Sequence, residues 1–286
     1  MSGMARAMKL FTAAATVLVA AACSSSGTVG VGGGGKINLD RVSAADAIKD
    51  ASAAQIAKHS VKEHLTYTSQ RLTQSVDSLQ RTDRATLEST VVDQVTGATQ
   101  STHGEVRLDG SVAYVDNPEI PAAMRQNKQW IKLDLDHLPP RDSSDKNLAL
   151  FAALGASYRG ADPVQGSLFA LAYPDLHRVG VETRDGRRLL HLAASVTPDT
   201  LPATPPPGSG ITQAYLDLRR TQWKDQGLTK MSVDFWMGED GLAVEVKQAE
   251  SGTSGDSTGD MTQSDWGVPV TIVAPPADQT YTVPAQ

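Results

Sequence analysis

Three Asp-Gly pairs, Asp109-Gly110, Asp185-Gly186 and Asp240-Gly241, each separate two strand-like runs. Glycine reaches positive φ without a Cβ penalty, so Asp-Gly between alternating segments is a strong signal for a tight hairpin turn. The pairs therefore join residues 104–108 to 111–115, 176–183 to 187–196, and 230–237 to 242–249 as antiparallel neighbours. Further strands are expected at 64–73, 85–95 and 130–135, with a closing pair at 261–266 and 268–273. In the 130–135 segment Ile131, Leu133 and Leu135 alternate with Lys132 and Asp134. That alternation marks a sheet with one buried face and one wet face.

Helical spacing interrupts the hairpins. Residues 43–60 carry Ser43 as a cap with Asp46 three residues on, and Ala47, Ile48, Ala51 and Ala54 give a small apolar face. Residues 147–158 place Leu148, Leu150, Phe151 and Leu154 at helical spacing. Asp162-Pro163 then reads as the cap and first position of a second short helix, which continues through Leu168, Phe169 and Leu171 until Pro174 stops it. A longer amphipathic helix over 211–226 carries Tyr215, Leu216, Leu218 and Trp223 and ends at Gly227. The Pro-rich 197–210 segment and the Gly/Ser/Thr-rich 251–259 segment are expected to be loops, and the tail after Ala274 is Pro-rich. Many antiparallel hairpins with helices inserted between them predict an α+β domain built on one curved antiparallel sheet.

The N-terminus bears on location. Arg6 and Lys9 precede a small, apolar run over 10–22. At about 13 residues this run is shorter than the roughly 20 that a spanning helix needs. A basic start, a short apolar core and small residues before a cut site make a secretory signal over 1–22. Ala21-Ala22 directly before Cys23 resembles the bacterial lipobox, with Ala20 where a leucine is usual. That resemblance implies a diacylglycerol and palmitate-type anchor on Cys23, the only cysteine of the chain. Residues 23–38, with glycines at 30 and 32–35, read as a flexible tether, and 39–286 as a single domain. The expectation is a monomer held to the extracytoplasmic face of a cell membrane.

The chain carries a formal net charge of −6, which becomes −8 once Arg6 and Lys9 leave with the signal. An acidic chain without a basic stripe argues against a nucleic-acid partner. No phosphate loop, dinucleotide fingerprint or Gly-x-Ser-x-Gly turn is present. His59 and His64 straddle a helix end rather than sharing a helix face. Asp134, Asp136, His137, Asp142 and Asp145 lack the spacing of a calcium loop. The expectation is a protein with no enzymatic activity, no cofactor and no metal.

The later motifs resemble those of the actinobacterial LppX/LprG-type lipoproteins, relatives in fold of the carrier LolA and its acceptor LolB. They are the segment 231–242 with Trp236 ahead of its acidic-Gly turn, Trp266-Gly267-Val268-Pro269-Val270 followed by Ala274-Pro275-Pro276, and Asp162-Pro163 with the 168–171 run and the hairpin at Asp185-Gly186. The 197–210 and 251–259 segments look like elongations relative to that pattern. The resemblance implies a strongly curved half-barrel sheet whose concave face is covered by helices around an apolar cavity. It implies an acyl-chain or glycolipid ligand, transferred or presented across the cell envelope. By the same resemblance the lining would come from Ile131, Leu133, Leu148, Phe151, Leu154, Leu168, Phe169, Leu171, Val233 and Phe235. A ligand-free surface sensor or protein-interaction domain is the other reading that the same fold allows.

Overall fold

The computed structural model describes residues 36–70, 73–83, 88–96, 101–118, 120–158 and 163–284. The expected leader, Cys23, the tether as far as residue 35 and the cap at Asp162 lie outside the described residues. Among the described residues the chain order is α1 (Ala44–Lys58), β1 (Ser60–Ser69), β2 (Thr73–Arg81), β3 (Glu88–Thr96), β4 (Ser101–Asp109), β5 (Val112–Asp116), β6 (Trp130–Asp134), α2 (Lys146–Tyr158), α3 (Pro163–Leu168), β7 (His177–Arg184), β8 (Arg187–Val196), α4 (Gln213–Gln226), β9 (Leu228–Met237), β10 (Ala243–Gly252), β11 (Ser257–Ser264) and β12 (Thr280–Thr282). The protein is α+β, built on a large antiparallel sheet.

Local chemistry explains most of these boundaries. Ser43 Oγ accepts the Asp46 amide at 3.1 Å, and the Asp46 carboxylate accepts the Ser43 hydroxyl at 2.6 Å, so α1 opens on the expected Ser43 cap, with Asp46 holding the hydroxyl of the cap. Thr212 caps α4 in the same way through the Tyr215 amide at 3.2 Å. Gly227 ends α4 with φ of 66°. Between β7 and β8, Asp185 and Gly186 both take positive φ, at 49° and 75°, as a two-residue type I′ turn requires.

The described strands form one sheet in the order β12-β6-β5-β4-β3-β2-β1-β11-β10-β9-β8-β7. Neighbours are antiparallel except β12, which runs parallel to β6. Laid flat, so many strands at about 4.8 Å spacing would span roughly 50 Å. Yet Ile131 on β6 and Leu190 on β8, near opposite ends of the order, belong to one hydrophobic core. The sheet therefore curls, as open sheets of this width do. The helices fill the inner side: α1 packs on β1 and β7, α2 on β6, and α4 on β9. No described helix is long and apolar enough to cross a membrane.

One strand is added and two expectations are corrected. Residues 73–81 form β2, a strand that hydrophobic alternation does not reveal, because the inward positions Gln74, Ser78 and Gln80 are polar. Residues 251–259 are not a long loop. Ser257 and Gly259 already lie in β11, paired on one side with β10 and on the other with β1, and only a short turn remains. Residues 268–273 are not a strand. They begin a strap in which Pro269, Pro275 and Pro276 can donate nothing to a ladder. The strap leaves β11 at Gly267, whose amide donates to Ser60 O at 3.0 Å. It then crosses the wet face past Arg107, whose guanidinium donates to Val273 O at 2.6 Å, and reaches β12 beside β6.

Candidate functional site

Because alternate residues point inward, the ladder register arranges the concave face in rows. One row is apolar: Val76 of β2, Leu65 of β1, Met261 of β11, Val246 of β10, Phe235 of β9 and Leu192 of β8. All six are buried. On one side of it runs a polar row, Ser78, Glu63 and Gln263. On the other side lie Gln74, Tyr67, Gly259 and Gln248, and beyond them Ser257 and Glu250. An apolar track thus runs between two polar margins on the central strands.

The residues expected to line a cavity fall into two groups. Ile131 and Leu133 lie on β6, opposite Val115 and Ala113 of β5. Val233 and Phe235 lie on β9, opposite Ala194 and Leu192 of β8. The curl brings both pairs into one core, together with Phe151, Leu154, Leu168 and Phe169 of the helical layer. Leu148 and Leu171 pack at its margin, half-buried. Phe151 meets Tyr281 of β12 at 6.0 Å between ring centroids. Phe169 is the hub of an aromatic cluster, with Tyr173, Tyr215 and Trp223 at 5.5, 5.7 and 5.9 Å. Ile131, Leu133 and Phe169 have 0% exposed surface, so side chains of the protein fill the space against them.

The polar margins were not anticipated. Glu63 is fully enclosed: Gln263 Nε2 donates to Oε1 at 2.6 Å and the Ser78 hydroxyl to Oε2 at 3.4 Å. Burial pushes its carboxyl up to about 7, against the pull of the hydrogen bonds from Gln263, Ser78 and Gln80. At the other margin both Glu250 oxygens are taken, one by the Gln248 amide and one by the Ser257 hydroxyl at 3.2 Å. Burial raises the Glu250 carboxyl as well. Facing this margin, α4 buries Tyr215, Arg219 and Trp223 at successive turns. The Arg219 guanidinium lies over the Phe169 ring at 5.4 Å and donates to Gln222 Oε1 at 3.2 Å. The one available signal was the arginine itself, spaced four residues from an aromatic on each side within the apolar stripe of a helix.

The titratable clusters seen in the sequence have local structural explanations. His59 ends α1 and meets Asp83 at 3.1 Å, whereas His64 stands on the wet face of β1 and meets Asp77 at 2.8 Å. Asp134 Oδ1 accepts the amides of Asp136 and His137 at 3.0 and 3.2 Å, closing the turn after β6. On the wet face His191 stacks on Trp236 at 4.4 Å, with its ring nitrogens 2.7 Å from Glu182 and Asp234. Among the described residues no group of three or more His, Cys, Asp or Glu is arranged to hold a metal ion.

No protein-family model matches this chain, and no curated protein matches it. The solved structures similar to this chain include the following two. LprF from Mycobacterium bovis is 16% identical, with 81% of this chain and 96% of that chain covered and a TM-score of 0.42. The Mycobacterium tuberculosis lipoprotein LppX is 13% identical, with 80% and 98% covered and a TM-score of 0.44.

Proposed function

We propose that this protein is a membrane-anchored, extracytoplasmic lipoprotein that binds the acyl chains of a lipid or lipidated molecule between its curled sheet and its helices. The observation that carries the reading is the continuous apolar interior that joins β6, α2, α3 and β9 through a single core. An acyl chain in water exposes methylenes that cost about 0.8 kcal/mol each. An apolar layer between a sheet and separately laid helices can exchange its own packing for those methylenes when the helices part. In the closed form the interior is self-filled, so uptake requires that motion. Cys23 supplies the anchor in this reading, and 23–38 the tether that lets the domain reach a membrane or a partner.

Self-filling is also what favours the second reading, a ligand-free sensor or protein-interaction domain, because such a domain needs a filled core. Native mass spectrometry of the purified full chain, with titration of a fluorescent fatty acid, separates the two. Lipid binding predicts co-purifying lipid and saturable uptake, lost in Leu154→Lys with the circular dichroism spectrum retained. A clean apo mass with no uptake selects the sensor. Labelled palmitate incorporated into the wild type but not into Cys23→Ala tests the anchor.

A further inference from the structure

Polar groups buried in a fold are paired, and those left over call for a partner. The buried face of α4 carries three leftover groups within one helical turn, and all three are donors. They are Nε and Nη2 of Arg219 and Nε1 of Trp223. Arg219 is 6% exposed and Trp223 is fully buried. The guanidinium keeps its charge inside a fold, so burial cannot silence it by deprotonation. Its surroundings only partly compensate. Nη1 reaches Gln222, and the Phe169 ring offers its face at 5.4 Å. Glu250 is close enough to be influenced by Arg219, but among the described residues the guanidinium makes no ion pair with a carboxylate, and its one hydrogen bond runs to Gln222. The oxygens of Glu250 are already held by Gln248 and Ser257.

The two open nitrogens matter as a pair. Nε–H and the adjacent Nη2–H form one edge of the planar guanidinium, the edge that grips a carboxylate or phosphate with two parallel hydrogen bonds. A buried edge of this kind, without a hydrogen-bond acceptor among the described residues and with an indole N–H four residues along the same helix face, is matched by an anion. It stands near the Glu250 margin, where β9 sets Met231 opposite Glu250 and Val233 opposite Gln248, beside Phe235 of the apolar track.

We infer that the Nε/Nη2 edge of Arg219, with Trp223 Nε1 beside it on α4, is the binding site for the acidic headgroup, carboxylate or phosphate, of a lipid whose acyl chain lies along the concave face. The inference rests on the lipid-binding reading and narrows it to anionic lipids.

The test uses the purified full chain and two pairs of probes. One pair is a fluorescent palmitic acid and its methyl ester. The other is a pyrene-labelled phosphatidic acid and the matching uncharged diacylglycerol. The expected result is that the charged member of at least one pair binds on the order of tenfold more tightly than the neutral member. The pair that shows the preference distinguishes carboxylate from phosphate. Arg219→Met is expected to abolish that preference while retaining the neutral probe, and to melt no lower than the wild type, because it removes a buried charge that lacks a carboxylate partner. Equal binding of charged and neutral members by the wild type would overturn the headgroup site and leave lipid binding standing. So would a preference that survives in both Arg219→Met and Arg219→Gln. A sharp fall in the melting temperature of Arg219→Met would show that the guanidinium is already satisfied within the fold, and would overturn it too. Binding of none of the four probes would overturn the lipid-binding reading and the headgroup site together.

Discussion

Glu63 is a carboxyl enclosed by neutral neighbours, Ser78 and Gln80 from β2 and Gln263 from β11. Its raised value, about 7 in the fold against 4.5 for the free side chain, makes stability depend on pH. Below about pH 4.5 both folded and unfolded chains carry the proton, and the group contributes nothing to the balance. Between about 4.5 and 7 the unfolded chain releases the proton while the fold retains it, so stability falls as pH rises, then levels above 7. The whole window is worth about 3 kcal/mol. Glu63→Gln keeps the shape, removes the titration and is expected to melt at a higher temperature than the wild type at pH 8 but not at pH 4.5. Thermal melts across that range check it; parallel curves for the two proteins would refute the assignment. Such residues were hidden in the sequence for a physical reason. Glu63, Ser78 and Gln263 stand in phase with the inward Leu65, Val76 and Met261 but are polar, so residue type alone reads them as outward, and only their pairing across three strands makes them a cluster. The apolar residues were easier to read: Ile131, Leu133, Val233 and Phe235 do face the interior, because their own strands alternate.

Helices and hairpins were legible where the chemistry is local. Ser43 and Gly227 each announce a helix end with their own side chain or its lack, and Asp185-Gly186 announces its turn. Strands whose stability comes from neighbours were not legible: β2 is mostly polar, the first half of β11 runs through a Gly/Ser/Thr-rich stretch ahead of the expected 261–266 strand, and β12 sits in a Pro-rich tail. Gly227 shows how tightly a local signal can be coupled to a distant element. Its φ is 66°, and a Cβ there would lie 2.1 Å from Thr253 Oγ1 in the β10–β11 turn. Thr253 in turn donates its amide to Gly227 O at 2.9 Å. Gly227→Ala therefore meets two separable costs, the left-handed backbone at about 1–2 kcal/mol and the collision with Thr253. The single variant is expected to lose more than about 2 kcal/mol in urea unfolding, whereas in a Thr253→Ala background the loss attributable to Gly227→Ala should shrink toward the backbone cost alone. Equal losses in the two backgrounds would mean that the turn yields freely and that α4 is not fixed to β10–β11 through this contact.

At the scale of the molecule the question is which layer moves. The helix α1 is tied to the sheet through main-chain bonds: Thr82 donates its hydroxyl to Gln55 O at 2.7 Å and its amide to His59 O at 2.9 Å. Ahead of α1, the Ile37 amide holds Glu239 O at 2.7 Å in the β9–β10 turn. The short helix α3 is held differently. Ser167 meets Ser52 of α1 at 2.9 Å, and Gln165 bridges to Gly210 O at 3.1 Å and to the Thr212 amide at 2.6 Å, which ties α3 to α1 and to the start of α4. Its contact with the sheet side is the packing of Leu168 and the adjoining Phe169. If the interior opens, α3 and the aromatic cluster behind it are the part free to lift, with α1 as the fixed side of the mouth. The Ser52–Ser167 contact sits on that boundary. The 2.9 Å between the two hydroxyls makes this pair the place to introduce a disulfide, whose formation non-reducing mass spectrometry confirms first. Ser52→Cys with Ser167→Cys, made in a chain whose Cys23 is replaced by Ala, is expected to bind fluorescent fatty acid when reduced and to lose most of the uptake rate when oxidised, with rescue by dithiothreitol. Oxidised protein that takes up ligand at the reduced rate would show that the lipid enters elsewhere and that α3 is a fixed wall. Stopped-flow uptake measured on one sample before and after reduction distinguishes the two, because the fold, the variant and the ligand are identical in both arms and only the α1–α3 bond differs.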